Sequence, residues 1–187
     1  MEACGAFSTL SLHGDDMMDK PRGKPAIARE TERPRTLRRW LKSTSNRTFV
    51  LYPVLVAAFE FALHGRDMRI VPWGIPLLIW GYLQYRLCGN YRTRHGGGGP
   101  GLSNPPERIV DQGIYRYMRN PMYLGHMIFM LGLAITFWSW AALILLAFHL
   151  VWFNKRAKED EAHLEALFGA PYVEYRNRVK RWIPGVY

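Results

Sequence analysis

Two polar clusters in this chain carry residue types suited to chemistry. The first is Gly113-Ile114-Tyr115-Arg116-Tyr117-Met118-Arg119-Asn120-Pro121-Met122-Tyr123-Leu124-Gly125, a doubly basic, aromatic turn that ends in proline where a long apolar run begins. The second, Lys158-Glu159-Asp160-Glu161, closes the same run at its far end. Pro121 suits the first turn of a helix, and Asn120 before it is a good N-cap. A helix N-terminus favours an anion, so Tyr115, Arg116, Tyr117, Arg119 and Tyr123 beside it suit the carboxylate of a small zwitterionic ligand. A charge run such as Asp160-Glu161 is usually a solvated face. Its functional alternative is a carboxylate that accepts hydrogen bonds from ribose hydroxyls or attracts a cationic centre.

Both clusters serve one site only if the run between them folds back on itself. Met122 to Phe153 is almost free of charge over 32 residues. As one helix rising ~1.5 Å per residue it would far exceed the thickness of a bilayer, so a hairpin is expected. The turn is placed near Trp138-Ser139-Trp140, where Ser139 can cap a new helix and the tryptophans can sit at head-group level. No glycine or proline marks it.

Two further apolar blocks, about Phe49 to Leu63 and about Trp73 to Leu87, are long enough to cross a thin or locally adapted bilayer. Glu60 lies inside the first. A carboxyl there must face protein, stay protonated, find a partner or sit near the interface, because an exposed charge in lipid costs roughly 3 kcal/mol or more. Upstream, Leu37, Trp40 and Leu41 share a helical face while Arg38, Arg39 and Lys42 can meet anionic head groups, the pattern of an interfacial helix. Residues 1–34 are rich in glycine, proline and charge and are expected to be disordered.

The expected architecture is therefore an all-α integral membrane protein. It has about four transmembrane helices with a C-terminal helical hairpin, an N-terminal interfacial helix and a cytosolic C-terminal helix. Residues 35–187 form one domain. Charge placement agrees: of 25 Lys and Arg, ten lie in residues 1–47, six in 86–121 and seven after Asn154, leaving Arg66 and Arg69 for the opposite face. Both termini and the long connection are then cytoplasmic by the positive-inside rule. A net charge of +10 with 49% hydrophobic residues fits apolar blocks separated by basic segments.

Several other classes are disfavoured. Cys4 and Cys88 stand far apart without metal-ligand spacing, so neither a disulfide framework nor a metal site is expected. The acidic start, with Glu2, Asp15, Asp16 and Asp19, does not read as a cleavable signal. Gly96-Gly97-Gly98-Gly99 follows no hydrophobic strand and lacks a Gly-Lys-Ser/Thr ending, so it reads as a flexible lid or spacer rather than a phosphate loop. The basic, aromatic tail around Tyr175-Arg176-Asn177-Arg178-Val179-Lys180-Arg181-Trp182 suits a head-group surface, and the adjacent membrane block argues against nucleic acid.

Gly113 to Gly125, Asp160-Glu161 with His163-Leu164, Phe168-Gly169, Tyr172, Tyr175-Arg176 and Arg181-Trp182-Ile183-Pro184 together resemble the isoprenylcysteine carboxyl methyltransferase and phospholipid methyltransferase superfamily, over about residues 104–184. The resemblance implies an integral membrane enzyme, of the bacterial inner membrane or the endoplasmic reticulum, that binds S-adenosylmethionine near the cytosolic face. The implied cofactor residues are Tyr115, Arg119, Asn120, Pro121, Tyr123, Leu124, Gly125, Asp160 and Glu161. Asn120 stands where histidine is common and Asp160 where glutamate is usual, which leaves Glu161 as the safer ligand.

Methyl transfer from a sulfonium is an in-line displacement that needs alignment in a water-poor cavity and no metal. A carboxylate acceptor is nucleophilic once ionised, with Arg176, Arg178 or Arg181 to orient it. An amine or thiol acceptor needs a base, for which His126, His163, Tyr172 and Tyr175 are candidates. The expected partners are membrane lipids and a hydrophobic or lipidated acceptor, with carboxyl O-methylation of an isoprenylcysteine-like substrate ahead of phospholipid N-methylation or thiol S-methylation. The alternatives are an NADPH-dependent membrane sterol or lipid reductase and a non-enzymatic lipid-binding scaffold.

Overall fold

The computed structural model describes residues 37–99 and 106–182, and among them every regular element is helical. The expected disorder of residues 1–34 lies outside the described residues. A short helix α1, Leu37–Lys42, occupies the segment read as interfacial.

Helix α2 runs from Thr44 to Asp67. It opens as Thr44–Asn46, widens into a π-helical stretch at Arg47–Leu51 and continues as Tyr52–His64. The widening has a local cause. Pro53 offers no N–H and would clash with the carbonyl four residues back, and the Tyr52 N–H bonds instead to Arg47 O, five residues back. Gly65, at φ 56°, ends the α-helical turns. Glu60 is buried, and His64 Nδ1 lies 3.2 Å from its Oε2, so the carboxyl has both protein around it and a partner.

Helix α3, Ile75–Gly96, follows a 3-10 turn at Pro72–Gly74. It packs closely along α4, Pro121–Phe137, through facing glycines. A Cβ added at Gly81 would lie 2.6 Å from Gly125 O, and one at Gly132 would lie 2.8 Å from Leu78 N. Small residues thus let the two backbones touch, as in membrane helix pairs.

The hairpin turn falls where the sequence places it. Trp138 takes a left-handed conformation at φ 49°, and the Ser139 hydroxyl accepts a hydrogen bond from Ala142 N at 3.2 Å. From there α5, Trp140–Phe168, runs back along α4 for 29 residues. At ~1.5 Å per residue it outlasts the 17-residue α4 and carries its acidic pair level with Asn120. Gly169, at φ 63°, breaks the chain into α6, Ala170–Arg178.

The interior between α4 and α5 holds Tyr123, Met130, Leu146, Phe153 and Ala157, with Trp182 of the C-terminal segment packed on it. Large apolar side chains also face outward, among them Trp80 and Leu87 on α3 and Ile144, Phe148 and Val151 on α5. Helix α2 is long and apolar enough to cross a membrane, with a mean hydropathy of 1.5 in its most apolar window. Only 17% of that window is buried, unlike the core helix of a soluble protein. Among the described residues it alone meets that length and hydropathy standard. Helix α4 is apolar but shorter, and α3 and α5 each end in a polar extension.

Candidate functional site

The acidic pair on α5 and the Arg119-Asn120-Pro121 turn before α4 meet at one end of the hairpin. Glu161 is 4% exposed yet charged, and five donors surround its carboxylate. Arg119 approaches with Nε and a terminal nitrogen, each 3.2 Å away. Arg181 does the same at 3.0 and 2.8 Å, and Asn120 Nδ2 donates to Oε1 at 2.9 Å. Burial alone would push this carboxyl up, but the hydrogen bond from Arg181 and the two guanidinium charges outweigh it and hold Glu161 below the usual carboxylate range.

Asn120 therefore does something other than cap α4. Its side chain makes no cap hydrogen bond, and its backbone sits at φ −122°, ψ 50°. The amide is directed to Glu161, where a buried charge-assisted hydrogen bond is worth more than a cap. Arg119 reaches further still, its other terminal nitrogen donating to Val179 O at 2.8 Å and to Arg176 O.

The C-terminal segment is held against the same turn by backbone pairing. Arg119 N donates to Lys180 O at 2.9 Å and Asn120 N to Arg181 O at 3.3 Å, beside an isolated bridge between Met118 and Lys180. Tyrosines complete the frame. The Tyr175 hydroxyl donates to Tyr115 O at 2.7 Å, and the Tyr115 hydroxyl donates to Cys88 O at 3.2 Å, tying α6 to the 113–116 turn and that turn to α3. Burial raises the phenols of Tyr115, Tyr172 and Tyr175 well above their ordinary value, so all three are neutral donors.

These elements enclose a cleft of about 660 Å³, counting its solvent-facing mouth. Its apolar wall includes Ile109, Val110, Leu164 and Phe168, and its polar lining includes Arg92, Arg119, Asn120, Asp160 and Glu161. Asp160 differs from Glu161 in what surrounds it. It accepts from the Tyr123 hydroxyl and pairs with Arg156 at 3.3 Å. A carboxylate has about four acceptor sites, so Asp160 has acceptor capacity left while Glu161 is filled.

Of the residues singled out in the sequence, Tyr115, Arg119, Asn120, Pro121, Tyr123, Asp160 and Glu161 of the implied cofactor set line the cleft, as do the candidate bases Tyr172 and Tyr175. Leu124 and Gly125 do not. Gly125 is pressed against α3, where a Cβ would lie 2.8 Å from Gly81 O. His163 is solvent-exposed. Arg176 ion-pairs with Glu165, and Arg178 pairs with Asp111 at 3.3 Å on an exposed surface, so the structure does not bring these three into the cleft lining.

Arg92 was not anticipated. It lies on α3, distant in sequence from both clusters, and no local pattern marks it. Nor was the Arg181 grip on Glu161, although the Gly169-Ala170-Pro171 break signals that the chain turns back before reaching it. Among the described residues no group of His, Cys, Asp or Glu could hold a metal ion.

The sequence pattern of the phospholipid methyltransferase family matches residues 99–171, which include most of the cleft. Curated relatives agree. The protein-S-isoprenylcysteine O-methyltransferase of Schizosaccharomyces pombe is 34% identical over 83 residues, 43% of this chain and 35% of the relative. Protein-S-isoprenylcysteine O-methyltransferase B of Arabidopsis thaliana is 35% identical over 81 residues, 42% of this chain and 41% of the relative. The Saccharomyces cerevisiae protein of the same name is 32% identical over 78 residues, 41% and 32% respectively. The chain thus spans less than half the length of each. The resemblance to the isoprenylcysteine carboxyl methyltransferase and phospholipid methyltransferase superfamily rests on both kinds of match.

Proposed function

We propose that this protein is a membrane methyltransferase that takes its methyl group from S-adenosylmethionine and delivers it to a lipidic acceptor, with the carboxylate of an isoprenylcysteine favoured. One observation carries the reading. Glu161 joins the Arg119-Asn120 turn, the C-terminal Arg181 and helix α5 into one charged junction beside an apolar cleft, and all of that junction but Arg181 lies within residues 99–171, the region matched to the phospholipid methyltransferase family.

The donor set suits that cofactor. The wall of Ile109, Val110, Leu164 and Phe168 offers an apolar face for adenine, Asp160 retains acceptor capacity for ribose hydroxyls or an ammonium, and Arg92 supplies a cation for a carboxylate. Glu161 contributes indirectly, by fixing the cleft side chains Arg119 and Asn120 together with Arg181. When bound, the cofactor supplies an electrophilic methyl on sulfur, which an acceptor carboxylate oxygen takes in line as the carbon–sulfur bond breaks.

The chain's own part is alignment and exclusion of water. An ionised carboxylate has no proton to lose, so this reaction requires no basic side chain, and none of the neutral tyrosines is asked to be one. Cofactor contact is assigned to Tyr115, Arg119, Asn120, Pro121, Tyr123 and Asp160, with Glu161 holding Arg119 and Asn120 in place. Residues 35–187 act as one domain with four membrane crossings, α2, α3, α4 and the first part of α5. Both termini lie on the cytoplasmic side, as the distribution of lysine and arginine supports.

The test uses the full chain purified in detergent. Calorimetry should show binding of S-adenosylhomocysteine and not NADPH, and methyl-labelled S-adenosylmethionine should label an isoprenylcysteine as a base-labile ester. Binding of NADPH alone would turn the assignment to the reductase alternative. Thiols introduced at Met118 and Glu159 must react from the same membrane face.

A further inference from the structure

The corner between α4 and α5, at the far end of the hairpin from the cofactor cleft, holds an apolar groove. Ala134 and Ser139 are small and buried and make its floor, while Leu131, Trp138, Trp140 and Leu143 stand exposed around it. The Ser139 hydroxyl is engaged by Ala142 N, so the groove offers a ligand chiefly hydrocarbon and indole surface.

The backbone marks the same corner. Trp138 is the only non-glycine at positive φ among the described residues. Left-handed backbone is unfavourable for an ordinary residue, and glycine or asparagine would make the turn with less strain. An indole kept there in spite of the strain points to a use for its ring.

That ring borders the groove, and the Arg69 guanidinium lies over it at 5.7 Å, within cation–π reach. The approach is fixed by the main chain. Two residues after Arg69, Val71 N donates to Thr136 O at 2.7 Å and pins the segment before α3 to the last turn of α4. The bond also satisfies one of the carbonyls that a helix leaves open at its C-terminal end.

Charge narrows what would fit. Arg66, Asp67 and Arg69 are exposed and form no ion pair among the described residues, so two cations against one acid leave the corner positive. Exposed Ile70, Trp73 and Ile144 extend the apolar surface around it. A cation beside an apolar channel matches an amphiphile with a negative head, whereas a zwitterionic head would set its own ammonium against the arginines.

We propose that this corner binds an anionic phospholipid of the leaflet opposite the cofactor cleft, its phosphate on Arg69 and one acyl chain in the groove between α4 and α5. The site rests on the membrane crossing of the chain and not on its methyl-transfer chemistry. Bilayer lipid is the occupant because that crossing sets the exposed apolar side chains of the groove against hydrocarbon.

The test reconstitutes the full chain in phosphatidylcholine vesicles with a trace of phosphatidylglycerol or phosphatidylcholine bearing a photoactivatable acyl chain, and maps the labelled residues by mass spectrometry. In the wild type the phosphatidylglycerol probe should label residues 131–143 about fivefold more than the phosphatidylcholine probe, the effect of one arginine on an anionic head. Arg69→Gln should bring the probes level, and Arg69→Lys, which keeps the charge, should retain most of the preference. Trp138→Asn, which suits the left-handed backbone but removes the indole, should weaken labelling of the groove. Affinity for S-adenosylhomocysteine should stay unchanged in all three, which also reports an intact fold. Equal labelling by both probes in the wild type, or a preference that survives Arg69→Gln, would overturn the site and leave ordinary boundary lipid. Crosslinks from the groove to a second copy of the chain in place of lipid would overturn it too. A phosphatidylglycerol preference in a protein that binds no S-adenosylhomocysteine would keep the site and remove the methyltransferase reading. Cofactor binding without that preference would do the reverse.

Discussion

Asn120 Nδ2 donates to Glu161 Oε1 across 2.9 Å, joining the residue before one helix to the exit of its hairpin partner. Two consequences follow for position 120. Asn120→Ala deletes a bond to a buried carboxylate and should lower stability by about 1.5–3 kcal/mol. Asn120→Asp places a second negative charge against the first and should cost more. Thermal unfolding in detergent orders the three proteins, and a neutral Asn120→Asp would contradict the geometry.

Glu161→Gln leaves two guanidinium groups sharing no countercharge in a setting where the carboxylate side chain is 6% exposed. Loss of one partner of a buried ion pair costs about 3–5 kcal/mol. The same change should weaken S-adenosylhomocysteine binding, because Arg119, Asn120 and Arg181 lose their common anchor. Calorimetry beside a melting curve separates the two effects, since ligand affinity is read at a temperature where the variant is still folded.

The pH dependence has a definite sign. Glu161 is held below its ordinary value of 4.5 in the folded chain, so the unfolded state takes up its proton first on acidification. Its stabilisation is fully present above about pH 4.5 and is lost as pH falls through the lower folded value. Melting temperature should therefore drop on acidification in the wild type, and Glu161→Gln should lack that component of the drop. Parallel curves for the two proteins would show that another group is responsible.

Gly125 tests whether a residue beside the cofactor motif acts through the ligand or through packing. A Cβ there would stand 2.8 Å from Gly81 O and 2.9 Å from Tyr85 N, both backbone atoms of α3. Gly125→Ala should separate α3 from α4 and destabilise the protein by about 1–3 kcal/mol. Gly81→Ala should do the same from the other side, although Gly81 lies outside the motif. A stable Gly125→Ala that fails to bind S-adenosylhomocysteine would favour direct contact instead.

Local patterns were enough to reveal the helices and the corner between α4 and α5. A 32-residue apolar run is too long to stay straight, and Ser139 between two tryptophans supplies a cap where the run must reverse. The meeting of the Arg119-Asn120 turn with Asp160 and Glu161 follows from that reversal, because α5 runs back past the start of α4 and so carries the acidic pair to the level of Asn120. What needed the tertiary structure was the choice of partners. Asn120 has the sequence of a helix cap and spends its amide on Glu161. Arg181 reads as a head-group anchor and grips the same carboxylate, because residues 180–181 pair with 119–120. The approach of Arg69 to Trp138 was likewise invisible, since the segment before α3 meets the end of α4 only in the bundle. Helix formation and chain reversal are fixed by neighbours within a few residues, whereas the partner of a buried charge is decided by which distant segments pack closely enough to exclude water.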